Sequence, residues 1–181
     1  MNSKDIARLA ECMLSRTNYL FLGVYARDQL PMINEIDRFP ACLISNTDTS
    51  DGPGIHWIAI TYVSRANLEF FDSYALQPSD YLFDSLTNQP INLSLFQIQH
   101  DDSDRCGHHC LYYLFKRSHN FSLSRIFTLF SPSALHQNDI LVGHFVKHLR
   151  KLCTAHSLSN KAFCNHACIY KCKTYYCRKT W

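Results

Sequence analysis

Three runs rich in β-branched and aromatic side chains, His56–Val63, Leu68–Asp72 and Ile91–Gln99, are followed by the polar segment Asp101-Asp102-Ser103-Asp104 and an apolar helical stretch that opens on Cys106. Polar turn residues bound each run, which predicts three successive strands. In the stretch Cys106–Phe115, Cys110, Leu111 and Leu114 mark one helical face, and the aspartates and serine before it supply cap candidates. This order confines the chain to folds in which helices pack on a sheet. It also sets a cysteine at or near a helix N-terminus.

The flanking segments fit the same class. Ile6, Leu9, Ala10 and Met13 recur at helical spacing over residues 3–15, with Ser3 as the expected N-cap and Asp5 suited to the positive end of the helix dipole. Tyr19–Tyr25 is an apolar run, Ala41–Ile44 reads as a short buried strand, and Asn46–Gly54 is a loop by composition. Asn138-Asp139 is read as the cap of a helix over Ile140–Leu152, striped by Leu141, Phe145, Leu149 and Leu152. Phe121–Leu135 is an irregular packed connection. Helix, strands, then helices give an α+β domain, expected over residues 1–160, with a distinct tail at 161–181.

A chain of 181 residues with 46% apolar side chains is enough for one core, and monomer is the default. A net charge of +3 does not by itself mark a nucleic-acid binder. Nine cysteines is an odd number, scattered as Cys12, Cys42 and Cys153, a helical pair Cys106 and Cys110, and a terminal cluster. That pattern is unlike a secreted disulfide framework. The N-terminal residues lack an apolar signal core, and no run approaches the roughly 18 apolar residues of a membrane span. The expectation is a soluble protein of a reducing compartment, without membrane contact.

Amide hydrolysis by a thiol needs a thiolate, a base that delivers the proton to the leaving amine, a group that orients the base, and donors for the oxyanion. Cys106 is the candidate nucleophile, because a helix N-terminus lowers a thiol pKa and Gly107 leaves room for close backbone approach. Asp102 and Asp104 would oppose that effect if they pointed inward, so an imidazolium partner is expected to dominate. His56 is that partner, Asp72 the acceptor for its far ring nitrogen, and Gln99 the side-chain donor that joins the Cys106 N–H in an oxyanion hole. Cys110, one turn on, reads as a small buried hydrophobe. His108, His109 and Cys110 point to different helix faces and do not converge on a metal. The chemistry needs no cofactor.

Gly54-Ile55-His56-Trp57-Ile58-Ala59, Phe71-Asp72 and Gln99-x6-Cys106-Gly107-x-x-Cys110 resemble the adenain family of viral cysteine endopeptidases, part of the group that also holds SUMO and ubiquitin-like proteases. The resemblance extends to Tyr19–Tyr25 and Cys42–Thr47, covers roughly residues 5–117, and continues more loosely from Phe130 to Leu149. It implies a papain-like fold with a permuted order of catalytic residues. It further implies cleavage of capsid or core precursors at Gly-containing sites during virion maturation, in the virion and host nucleus, with DNA or a peptide as activator. An isopeptidase acting on ubiquitin-like modifiers is the near alternative. Asp72 stands where adenovirus proteases carry Glu, as in the SUMO-protease branch. Residues 73–98 contain no cysteine, so a disulfide-linked activating peptide is not expected.

The tail is basic and aromatic: Lys161, Lys171, Lys173, Arg178 and Lys179 alternate with Phe163, Tyr170, Tyr175, Tyr176 and Trp181. It reads either as a nucleic-acid contact or as a solvated terminus. Its Cys164, His166, Cys168, Cys172 and Cys177 have the chemistry of zinc ligands, but they are more crowded than paired zinc-binding elements usually are. A binding module acting through this tail is the alternative from a different functional class.

Overall fold

In the computed structural model, which describes residues 1–81, 86 and 90–157, the sheet is built outward from a hairpin. β3 (Trp57–Ser64) pairs antiparallel with β4 (Asn67–Phe71) and, on its other side, with β2 (Ala41–Asn46). β1 (Leu20–Ala26) lies parallel to β2, and β5 (Ile91–Leu93) lies parallel to β4, giving the order β1-β2-β3-β4-β5. Ala59 faces Phe71 in the β3–β4 register, so the residue before β3 and the residue after β4 emerge at the same end of the sheet. Those residues are His56 and Asp72.

Both faces of the sheet are covered, which explains why β2 is buried along its whole length. Cys42 and Ile44 of β2, Ala59 of β3 and Phe71 of β4 join the core under the helices. The alternate residues Ala41, Leu43, Ile58, Ile60 and Phe70 form a second core with Ile36 and Leu86 from the connections. The helical layer comprises α1 (Ser3–Leu14), α2 (Cys106–Ser118), the short α3 (Leu123–Phe127) and α4 (Leu135–Ser157).

Three contacts fix α2 on the sheet. The Tyr113 ring stacks on Phe71 with centroids 4.4 Å apart, and its hydroxyl donates to Glu69 Oε2 at 2.8 Å. Arg117 grips the same carboxylate with Nε at 2.7 Å and Nη2 at 3.0 Å. A fork of this kind is the strongest geometry for a partly buried ion pair. At the other end of α2, a Cβ on Gly107 would stand 3.1 Å from Ile6 Cδ1 and 3.4 Å from Trp57 Cδ1. Glycine thus lets the start of α2 approach α1 and β3.

Several sequence expectations change. Asn2, not Ser3, caps α1, its Oδ1 accepting the Asp5 N–H at 2.9 Å. The run Ile91–Gln99 pairs only as far as Leu93; beyond it Ser94 Oγ accepts the Asp72 N–H at 2.9 Å, and the chain leaves the ladder. The N–H groups of Ile98 and Gln99 then both donate to Ser73 O, at 2.9 and 3.2 Å. Asn138 and Asp139 do not cap α4, which begins at Leu135; they lie inside its first turns with buried side chains. Cys12 and Cys153, read from sequence as scattered single cysteines of a protein in a reducing compartment, are joined by a disulfide that ties α1 to α4. No helix among the described residues is long and apolar enough to cross a membrane. The tail at 161–181, with its nucleic-acid and zinc readings, lies outside the described residues.

Candidate active site

His56 precedes β3, Asp72 follows β4, Gln99 sits in the loop after β5 and Cys106 opens α2. The fold brings all four to one end of the sheet. His56, Gln99 and Cys106 line a cleft of about 1000 Å³, whose far wall comes from the 49–55 loop and the end of β1. Asp72 is wholly buried behind His56.

Asp72 is held by donors on every side. His56 Nε2 lies 2.6 Å from Asp72 Oδ1, which also accepts the Tyr74 N–H at 3.0 Å. The second oxygen accepts the Leu76 N–H at 3.0 Å and the Tyr81 hydroxyl at 2.9 Å. A carboxylate so satisfied stays put and fixes the imidazole it faces. With Nε2 committed to Asp72, the hydrogen bond between His56 and Cys106 falls to Nδ1. The rings of Tyr74 and Tyr81 flank the imidazole at centroid distances of 4.9 and 5.8 Å.

This geometry sets the charges. Burial alone would lower the His56 pKa, but hydrogen bonds to Asp72 and Cys106 and the charges of both outweigh it and raise it to about 9. Burial alone would raise the Cys106 thiol, and here the His56 hydrogen bond and charge, with backbone hydrogen bonds from Trp57 and Gly107, bring it below its ordinary value. The two shifts describe a thiolate–imidazolium pair. Among the described residues the other free thiols go the opposite way: burial pushes Cys42 up to about 12 and Cys110 well above the usual range. Cys106 keeps 9% exposure, whereas Cys42 and Cys110 have none. Asp102 and Asp104 are exposed, and neither is among the main influences on the Cys106 thiol.

Gln99 is clamped. Its Oε1 accepts the Ser73 hydroxyl at 2.7 Å, and its Nε2 donates to Ser103 O at 2.6 Å and to the Tyr74 hydroxyl oxygen at 3.0 Å.

Two neighbours that sequence reasoning assigned to a helix cap brace this loop from α4. Asn138 Nδ2 donates to Ile98 O at 3.0 Å, and Asp139 Oδ2 accepts the His100 N–H at 3.2 Å. Asp139 Oδ1 meets His109 Nε2 at 2.8 Å. Burial lowers the His109 pKa despite the opposing Asp139 charge, so a neutral imidazole donates to an ionised carboxylate. His109 Nδ1 is left buried without a partner. A polar pair at the start of an apolar stripe carries the same signal in sequence whether it caps the helix or braces a neighbouring loop.

Among the described residues no group of three or more His, Cys, Asp or Glu is placed to hold a metal ion. His109 and Cys110 engage different partners, Asp139 and the Trp57 carbonyl.

No protein-family model and no curated protein matches the sequence. Among solved structures, the chain is similar to the central domain of the uncharacterized Lpg1148 protein from Legionella pneumophila, with a TM-score of 0.53 and 19% identity over 88% of this chain and 98% of that one. It also aligns with the ASFV pS273R protease, with a TM-score of 0.48 and 16% identity over 75% of this chain and 64% of that one. The first likeness shows a shared fold.

Proposed function

We propose that this chain is a cysteine endopeptidase of the adenain type, with a papain-like arrangement of its site. The observation that carries the reading is the array Cys106, His56 and Asp72, in which one largely buried thiol lining a cleft is selectively acidified.

In this reading the Cys106 thiolate attacks the scissile carbonyl carbon, and the carbonyl π electrons move onto oxygen. The orphan N–H groups at the start of α2, with the Gln99 cluster opposite, receive that oxyanion. Collapse expels the amine, which takes its proton from the His56 imidazolium and leaves a thioester on Cys106. Neutral His56 then removes a proton from water, whose oxygen attacks the thioester carbon; collapse releases the acid and regenerates the thiolate–imidazolium pair. Asp72 keeps its charge throughout and holds His56 in the orientation both steps need.

The sequence resemblance supplies the rest of the proposal: precursor proteins of an assembling virion as substrates, cut at Gly-containing sites, with the virion and host nucleus as the setting and DNA or a peptide as activator. The test is digestion of a proteome-derived peptide library, with and without duplex DNA, read by mass spectrometry of new termini. The account predicts cleavages clustered around glycine that disappear with Cys106→Ala. Termini that persist in Cys106→Ala, or none from either protein, would count against it.

A further inference from the structure

We propose that Tyr74 is an additional catalytic residue, its phenolic hydroxyl donating directly to the oxyanion. The inference rests on the cysteine-peptidase reading and follows from counting the protons of Gln99. A primary amide has two N–H donors on nitrogen. One Gln99 N–H goes to Ser103 O at 2.6 Å and the other to the Tyr74 hydroxyl oxygen at 3.0 Å. Gln99 Oε1 accepts from Ser73, which fixes the amide in this orientation. Gln99 therefore has no N–H left over for a substrate.

The proton of Tyr74 is in a different position. Its hydroxyl oxygen accepts from Gln99, and no acceptor among the described residues takes its O–H. A phenol that accepts one hydrogen bond becomes a better donor of the next. Tyr74 lines the same cleft as Cys106, His56 and Gln99, and its ring lies 4.9 Å from that of His56. The backbone holds it there: its N–H donates to Asp72 Oδ1 at 3.0 Å, and Ala75 follows in a left-handed conformation with φ of 59°. Burial, followed by the charge of Cys106, raises the Tyr74 pKa, so the hydroxyl keeps its proton.

In the acyl-transfer step the Tyr74 O–H forms a hydrogen bond to the oxygen that gains the carbonyl π electrons. No proton is transferred, and the bond is returned when the intermediate collapses. Gln99 is thereby a positioning residue that orients and polarises the phenol, and the backbone N–H of Cys106 is the second donor.

The test is Tyr74→Phe, which removes one oxygen and keeps the ring beside His56. Three readouts are compared with wild type: affinity for a peptide aldehyde ending in glycinal, turnover of a peptidyl-glycine anilide, and the rate of Cys106 alkylation by iodoacetamide. The aldehyde adduct and the anilide reaction both develop an oxyanion; alkylation does not. The expected result is a loss on the order of 10²-fold in kcat and in aldehyde affinity, typical of one oxyanion donor, with alkylation within twofold of wild type. Unchanged kcat and aldehyde affinity would overturn the assignment. So would an alkylation rate that falls in step with kcat, which would make Tyr74 a support for His56. A wild type that neither binds the aldehyde nor turns over the anilide, and whose Cys106 reacts no faster than a denatured thiol, removes the peptidase reading itself and this inference with it.

Discussion

His56 Nε2 and Asp72 Oδ1 lie 2.6 Å apart at the end of the sheet where β3 begins and β4 ends, and neither group is open to solvent on that side. The pairing leaves Nδ1 as the nitrogen that serves Cys106. Because Asp72 also accepts from Tyr74, Leu76 and Tyr81, Asp72→Asn reverses the polarity of a site that offers only donors. The amide must turn an N–H toward one of them, which disrupts the tautomer and placement of His56. Turnover is expected to fall about 10²–10⁴-fold, with Cys106→Ala inactive. Steady-state kinetics on a peptidyl-glycine anilide checks this, and retention of more than a tenth of wild-type kcat would contradict it.

The acid side of the pH profile belongs to Cys106 and the alkaline side to His56. The thiolate–imidazolium pair is present from the lowered Cys106 value up to about 9, where His56 loses its proton. Alkylation of Cys106 should therefore remain fast below the ordinary thiol pKa of about 8.5. In His56→Ala burial acts without its main opponent, and alkylation should become appreciable only above that value. Rates of iodoacetamide labelling from pH 5 to 10, read by peptide mapping, test the shift. Superimposable profiles would show that His56 does not acidify Cys106.

Asp139→Ala removes the carboxylate that holds both His109 and the His100 N–H. Leaving buried polar groups unpaired costs about 1–3 kcal/mol, so thermal and denaturant unfolding should show a loss of that size. The brace acts on the loop of Gln99, so turnover should fall by more than the alkylation rate of Cys106 does. Equal falls in the two rates would place Asp139 outside the path from α4 to Gln99.

The disulfide between Cys12 and Cys153 closes a loop with a sequence separation of 141 residues. A link of this kind contributes about 2–4 kcal/mol, mainly by restricting the unfolded chain. Peptide mapping without reductant should recover the linked pair, and Cys12→Ser should lower the melting temperature while leaving Cys106 alkylation unchanged. Quantitative recovery of both as free thiols from protein purified without reductant would argue against the link.

The chain order of His56, Asp72, Gln99 and Cys106 was legible because the residues punctuate local patterns: the ends of three strand-like runs and a helix start. The register that brings Asp72 to His56 is not local. It follows from Ala59 meeting Phe71 across the hairpin. Gln99 was placed on a strand because Ile91–Gln99 has strand composition, yet hydrogen bonds from the Ser94 side chain and the Ser73 carbonyl take the chain out of the sheet after Leu93. Asn138-Asp139 misled for a related reason: capping residues are short polar side chains, and those side chains also make good tertiary braces. The partnership of Cys12 with Cys153 depends on α1 packing against α4, which no local spacing announces.

The central claim is that Cys106 is an acyl-transfer nucleophile activated by His56. Its most direct test is labelling by a peptide vinyl sulfone carrying glycine at the position next to the warhead, on wild type, Cys106→Ala and His56→Ala, read by intact mass and peptide mapping. The account predicts a single adduct on wild-type Cys106, none on Cys106→Ala, and labelling slowed by at least about 10²-fold in His56→Ala. Adducts spread over several cysteines, with no dependence on His56, would contradict it.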